Sequence, residues 1–328
     1  MRKKGFTLVE LLVVIAIIAL LMGILMPALA RVRQLAFRMT CGTNLAGIGK
    51  AMLIYANDYE DELPKAGARK NNWTNSVGSH GSATNWLQPR RHDAYGTNIN
   101  NSTDGSVSAS SSLYLLVRFA EVTPKSFVCK GESDTKEFKL SEWDVDPSLE
   151  LVEVWDFGYW KDDTTMNQAK FCSYGYQVPF GSYALTVAHE PTMGVAADRN
   201  PWLDPALDAA EVADRWGNFQ PDDEIFRGQA EDAKLGNSAA HQGEGQNVLF
   251  LDSHVAFEKR SFVGIENDNI YTRLLDAQNM KQSARGEVVS AYDSTTLNNS
   301  IKTRRDTILV QETSGSGGGS GGSGGRGR

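Results

Sequence analysis

An apolar run near the N-terminus constrains this chain more than any other feature. Residues 11–29 contain no charged side chain, and only Gly23 and Pro27 interrupt their helical character. At about 1.5 Å per residue, a helix of this length nearly crosses a hydrocarbon core of about 30 Å. The run therefore predicts a membrane-spanning helix. Three basic residues precede it and three closely follow it. The distribution of basic residues therefore does not decide which end of the helix faces the cytoplasm.

A carboxylate, Glu10, stands at the head of this run. A charged side chain at the centre of a membrane helix costs roughly 2.5–3.5 kcal/mol, and one near the end costs less but still favours a partner. Position alone leaves two interpretations open, a side chain among the lipid headgroups or one that pairs with a cation. A secretory signal would have a shorter apolar region that ends in small residues at a cleavage site.

The segment "KKGFTLVE" resembles the signal that opens type IV prepilins and type II secretion pseudopilins. Basic residues, glycine, phenylalanine, Thr-Leu-Val-Glu and a long apolar run follow in that order over roughly residues 2–30. The resemblance implies that a membrane-embedded prepilin peptidase cuts between Gly5 and Phe6. It also implies that the same enzyme methylates the new N-terminus of Phe6.

The same resemblance implies a role for Glu10 in filament assembly, where its carboxylate pairs with the N-terminal amine of a neighbouring subunit. It further implies that Gly23 and Pro27 form a weak point at which the packed helix loses its helical structure. Proline inside a helix removes one backbone hydrogen bond, so a mild kink is the alternative.

Apolar residues continue at steps of three and four as far as Tyr59. This pattern predicts one helix to about Asp58, bent near Gly42 where the phase slips, with Pro64 as the stop. The predicted organisation is a leader, a transmembrane and filament-core helix, an amphipathic second half of that helix, a globular head and a Gly/Ser-rich flexible tail. These parts occupy residues 1–5, 6–30, 31–64, 65–313 and 314–328.

The head is expected to be α+β, with an antiparallel sheet packed on the second half of the helix. A Gly-, Asn- and Ser-rich loop region precedes a short helix predicted at 112–122, and residues 300–313 predict an edge strand or disorder. The clearest hairpin spans 247–259, with alternating apolar residues on both sides of Asp252-Ser253. Further strand-like runs lie at 125–130, 149–157, 171–178, 182–187 and 193–198.

The block from His241 to Val255 resembles a C-terminal motif of large prepilin-like proteins from planctomycete-type bacteria. That motif has a histidine, nine residues and then Asp-Gly. Here ten residues separate His241 from Asp252, and Ser253 stands in place of the glycine. The departure leaves the geometry of the turn open.

Metal binding is weakly indicated. His241, Glu244, Asp252 and His254 fit no zinc-finger or EF-hand spacing. Some pseudopilins bind calcium near the C-terminus, so the resemblance makes Asp252 and Glu244 candidate calcium ligands. The alternative is a hairpin whose polar side chains cap turns and face solvent, with no cofactor.

The chain has three cysteines and no CxxC pair. In an extracytoplasmic head, Cys129–Cys172 is the predicted disulfide, and buried thiols are the alternative.

The sequence predicts a structural protein rather than an enzyme, since it has no HExxH or phosphate-loop motif, and GxSxG occurs only by composition within the Gly/Ser-rich tail. A net charge of −7 argues against nucleic acid as a partner. We expect a pseudopilus subunit of a type II secretion system, held in the inner membrane by one span with its head in the periplasm. Its partners would be prepilin peptidase, related pilin subunits, the inner-membrane assembly platform and lipid. The alternatives are a minor pilin for adhesion, motility or DNA uptake, and a surface binding module or enzyme that uses the helix as an anchor.

Overall fold

The structure is a computed structural model. It describes residues 7–67, 72–73, 85–95, 106–158, 170–179, 183, 185–204, 207–221, 228–289, 301 and 303–311. The helices within these ranges are α1 Leu8–Asp58, α2 Arg91–Tyr95, α3 Ala109–Phe119, α4 Ala209–Asn218, α5 Ala230–Lys234 and α6 Met280–Ser283. The strands are β1 Asn72–Trp73, β2 Ser106–Val107, β3 Tyr174–Gln177, β4 Gly194–Asp198, β5 Gln246–Phe250, β6 Val255–Glu258, β7 Thr272–Arg273, β8 Glu287–Val288 and β9 Leu309–Val310.

Helix α1 confirms the long helix and its end at Asp58. It is continuous through Gly23, Pro27 and Gly42, so the bend expected at Gly42 is not a break in the helix. The weak point at Gly23 and Pro27 stays a prediction about the assembled filament. The helix stops before Pro64, because Glu60 and Asp61 adopt left-handed φ values of 54° and 62°.

The two halves of α1 differ in what covers them. From Leu8 to Leu35 the large apolar side chains lie exposed, and within the described residues α1 is the one helix long and apolar enough to cross a membrane. Burial begins at Cys41, and one face of the second half then enters the core. That face repeats at steps of four and three, as a helix packed on one side requires. Its buried apolar residues include Cys41, Leu45, Ile48, Met52 and Tyr55.

The head is built on a five-stranded antiparallel sheet in the order β6-β5-β4-β3-β9. Its β5–β6 hairpin confirms the predicted one, and β9 confirms the edge strand predicted near the C-terminus. Alternate residues of β5 face opposite sides of the sheet. Leu249 joins the core under α1 and α3, whereas Val248 and Phe250 join a second core with Trp202 and Phe219. The α+β fold is thereby confirmed.

Two glycines let α1 approach β5 closely. A Cβ atom on Gly49 would lie 2.6 Å from Cδ1 of Leu249, and one on Gly42 would lie 3.2 Å from Oδ1 of Asn247. These glycines are seven residues apart and therefore lie on one side of the helix. Gly42, read from the sequence as a bend, is thus a point of close packing.

Three of the predicted strand runs are wrong. The run 125–130 overlaps the 3₁₀ turn Pro124–Phe127, and 149–157 contains the 3₁₀ turn Leu151–Glu153. Among the described residues of 182–187, Thr186 forms one bridge, to Glu62. Phe127 and Phe157 are nevertheless fully buried. The β-branched and aromatic residues of these runs therefore reflect burial rather than strand pairing. Burial and side-chain packing are what β-propensity largely measures.

The helix predicted at 112–122 instead spans Ala109–Phe119. Ser108 caps it, because its hydroxyl accepts a hydrogen bond from the backbone N–H of Ser111 and so starts the helix earlier.

Candidate functional site

The N-terminal end of α1 is closed by a capping box between Thr7 and Glu10. The backbone N–H of Thr7 donates to Oε2 of Glu10 at 2.8 Å, and the Thr7 hydroxyl donates to the same oxygen at 2.6 Å. In return the backbone N–H of Glu10 donates to the Thr7 hydroxyl at 3.3 Å. The carboxylate therefore has partners within its own helix turn.

This geometry bears on the pairing predicted for Glu10. Within the described residues both bonds use Oε2, and Oε1 accepts none. The side chain is exposed, so an amine from another chain has access to Oε1 without breaking the cap. The predicted cleavage site, Gly5 and Phe6, lies outside the described residues.

A second candidate site lies where α1 meets the head. Cys41 of α1 is joined by a disulfide to Cys129, with Cα atoms 5.5 Å apart and a sequence separation of 88 residues. The predicted Cys129–Cys172 pair is therefore wrong. The bond ties the first buried turn of α1 to a loop of the head.

The backbone beside Cys172 explains the different pairing. Ser173 lies against the Cys129 loop, where its hydroxyl accepts from the Cys129 N–H at 2.8 Å and its own N–H donates to the Phe127 carbonyl at 2.8 Å. Successive side chains of an extended segment point to opposite faces. Cys172 consequently points away from Cys129, and its buried thiol donates to the Tyr174 carbonyl at 3.5 Å.

Two titratable side chains adjoin the disulfide. Asp198 lies at the end of β4, and His241 lies in the 3₁₀ turn Ala239–His241 before β5. Nε2 of His241 is 3.1 Å from Oδ2 of Asp198 and 3.8 Å from Sγ of Cys129. One ligand atom from each of Cys41, Cys129, Asp198 and His241 lies within 4.8 Å of the others, and all four residues are buried.

Asn247 of β5 holds this group in place. Its backbone N–H donates to Oδ2 of Asp198 at 2.7 Å, and its side-chain Nδ2 lies 3.0 Å from the same oxygen. The other carboxylate oxygen, Oδ1 of Asp198, is buried and has no hydrogen-bond partner among the described residues. A buried polar atom without a hydrogen-bond partner is costly, so this atom needs an explanation.

The candidate calcium ligands are not brought together. Glu244 precedes β5 and Asp252 follows it, and five residues of strand hold their backbones roughly 17 Å apart. Glu244 pairs instead with Arg38 of α1, whose hydrogen bond holds the pKa of the carboxyl below its usual value. Asp252 lies 2.5 Å from Nδ1 of His254. A single calcium site with both ligands is therefore excluded by the topology.

A pocket opens beside the junction. Its wall includes Glu132 and Arg199, whose Oε2 and Nε atoms lie 3.4 Å apart. Burial raises the pKa of Glu132 to about 7, although the Arg199 guanidinium acts in the opposite direction. Glu132 thus titrates near neutral pH.

Sequence reasoning singled out His241 and missed its partners. Cys41 and Asp198 lie far from His241 in sequence, and no short spacing motif joins the four residues. The available signal was that Asp198 ends the strand-like run "MGVAAD".

Comparison with known proteins assigns the N-terminal site. The model of the prokaryotic N-terminal methylation motif matches residues 1–26. No curated protein and no solved structure matches the chain. The chain therefore carries a prepilin-like signal. Together with the long helix on an antiparallel sheet, this signal supports a type IV pilin-like protein that prepilin peptidase processes and that assembles with other pilin subunits.

Proposed function

We propose that the chain is a structural, non-enzymatic subunit of a type II secretion pseudopilus. In this proposal residues 11–29 anchor the precursor in the inner membrane with the head in the periplasm. Prepilin peptidase then cuts between Gly5 and Phe6, and the mature chain joins a helical filament on the inner-membrane platform.

The proposal rests on the difference in burial between the two halves of α1. Its second half is fixed to the head, whereas the large apolar side chains from Leu8 to Leu35 are exposed. A continuous apolar surface of this size is not stable in water. Lipid covers such a surface before assembly, and the helices of neighbouring subunits cover it in a filament, where they can pack directly on one another.

The experiment separates processing from assembly. Full-length chains are produced together with prepilin peptidase and the assembly machinery. Loss of residues 1–5 and N-methylation are read by mass spectrometry, and incorporation is read in sheared filaments. We expect Glu10→Val to be cleaved and membrane-inserted but missing from filaments.

Two matched variants complete this test. Gly5→Leu should remain uncleaved and unassembled, because the small residue that the peptidase recognises at the cleavage site is replaced by a large one. Thr7→Val removes one cap partner of Glu10 but keeps the carboxylate, and should still assemble. Normal incorporation of Glu10→Val would contradict the proposed pairing.

Deletion of the gene in its source cell tests which filament is involved. A pseudopilus subunit is needed for export of secreted proteins, so those proteins should accumulate in the periplasm. Loss of surface pili, motility or DNA uptake with normal secretion would instead favour the minor type IV pilin. The size of the head suits a minor subunit of either filament.

A further inference from the structure

We propose that, in its dithiol form, the helix–head junction binds one zinc-class divalent ion through Cys41, Cys129, Asp198 and His241. The proposal concerns the chain before its disulfide forms, which is the state in which the thiols are synthesised. It is independent of the filament to which the subunit belongs.

The donor set suits zinc. Zinc is held in tetrahedral sites by cysteine sulfur, histidine nitrogen and carboxylate oxygen, and soft thiolates disfavour calcium and magnesium. The four residues supply two sulfurs, one imidazole nitrogen and one carboxylate oxygen, and these atoms lie within 4.8 Å of one another. Ligand atoms around tetrahedral zinc lie about 3.3–3.8 Å apart. The separations of His241 Nε2 from Asp198 Oδ2 and from Cys129 Sγ, 3.1 Å and 3.8 Å, are already close to this range.

In the dithiol form, the two sulfur atoms can adopt the spacing that a tetrahedral zinc site requires. Two sulfurs that share no bond separate to van der Waals distance, which is close to the spacing of about 3.8 Å between two sulfur ligands of one zinc ion. Binding displaces the two thiol protons to solvent, so the thiolates coordinate and no electron is transferred. The disulfide form has no thiolates at this site and is expected to bind no ion there.

The unsatisfied carboxylate oxygen is an independent indication. Oδ1 of Asp198 is buried without a hydrogen-bond partner among the described residues. Asn247 meanwhile orients the carboxylate through two donors to Oδ2, as outer hydrogen bonds orient metal ligands elsewhere. A cation coordinated by the Asp198 carboxylate would offset the cost of burying this unpartnered oxygen.

A pocket lies near the cluster. The pocket beside the junction is lined by Gly131, Arg199 and Ala240. Each is a near neighbour in sequence of one ligand, namely Cys129, Asp198 and His241. The fourth ligand, Cys41, comes from α1, so the bound ion would join helix to head as the disulfide does.

Cobalt(II) is the probe for the test, because it reports tetrahedral thiolate ligation in its absorption spectrum. The full chain in detergent is prepared anaerobically as the dithiol and, separately, as the disulfide. We expect the dithiol chain to bind one equivalent of cobalt with a thiolate-to-cobalt charge-transfer band, and zinc to displace it. The disulfide chain should show no such band.

Variants assign the ligands. His241→Ala and Asp198→Asn should each lower the cobalt affinity at least tenfold. Cys172→Ser and Asp252→Asn, which alter another buried thiol and another carboxylate paired with histidine, should leave it unchanged. A charge-transfer band that Cys172→Ser abolishes and His241→Ala preserves would assign the metal elsewhere and overturn the proposal.

Folding is followed in the same samples by near-ultraviolet circular dichroism. A dithiol chain that folds without binding cobalt refutes the proposal. If the metal-free dithiol chain is unfolded, one equivalent of zinc should restore the folded signal, and failure to restore it counts equally against the site.

Discussion

Replacement of Gly49 by alanine tests the contact between helix and sheet on which the fold depends. Gly49 is buried in α1, and an added Cβ atom would lie 2.6 Å, 3.3 Å and 3.5 Å from Cδ1, Cδ2 and Cγ of Leu249. Leu249 is fully buried in the core. The extra methyl group therefore forces a side chain or the helix to shift.

Gly47 provides the matched control. It lies two residues earlier in the same helix and is exposed, and an added Cβ atom would meet nothing within 4 Å. Alanine in place of glycine favours a helix interior by about 1 kcal/mol at either position. Overpacking a core typically costs about 1–3 kcal/mol. Gly47→Ala should thus raise the free energy of unfolding by about 1 kcal/mol, and Gly49→Ala should be about 1–3 kcal/mol less stable than Gly47→Ala.

The measurement is urea unfolding of the oxidised full-length chain in detergent, followed by tryptophan fluorescence. Leu249→Val, which shortens the opposing side chain, should cost less in the Gly49→Ala background than in the original chain, and this coupling identifies the contact. Equal stability of Gly49→Ala and Gly47→Ala would show that α1 does not pack on β5 at Leu249.

Three further outcomes follow from the head. Oxidised Cys41→Ala should lose the faster non-reducing migration of the cross-linked chain and about 2–4 kcal/mol of stability, whereas Cys172→Ala keeps that migration. The pKa of Glu132, about 7 when folded against an ordinary 4.5, means that the folded state holds a proton that the unfolded state has lost. Stability should therefore fall by on the order of 3 kcal/mol as the pH rises from about 4.5 to 7. Glu132→Gln should remove most of this fall in stability with pH. An unchanged pH dependence of stability would exclude Glu132 as its source. Ser253 has a φ of 69°, so Ser253→Gly should raise the midpoint of thermal unfolding by relieving up to about 1 kcal/mol, and Ser253→Ala should not.

Features encoded by neighbouring residues were predictable from the sequence. The signal around Gly5 and Glu10 is contiguous, α1 follows from apolar steps of three and four, and the β5–β6 hairpin follows from alternation about Asp252. The antiparallel sheet follows from such runs as well. In each case the residues that form the pattern are close together in the sequence, within a single helix, strand or turn.

The junction was not predictable in this way, because its residues come from distant segments of the chain. Cys41 and Cys129 meet only after α1 lies across β5, and Asp198 reaches them only through the pairing of β4 with β5. Local composition was also misleading where Phe127 and Phe157 fill the core from irregular segments. Burial and strand pairing require similar residues, so a sequence pattern alone does not separate them.

The position of the disulfide along α1 has a mechanical consequence. Cys41 lies at the first buried turn, between the exposed length of the helix and the packed face that continues to Ala56. Tension applied through the exposed length meets a covalent bond before it reaches the noncovalent contacts beyond. The load then passes to the loop at Cys129, and the helix is protected from being peeled off the sheet turn by turn. We expect a chain with this arrangement to keep its head folded when its N-terminal end is pulled.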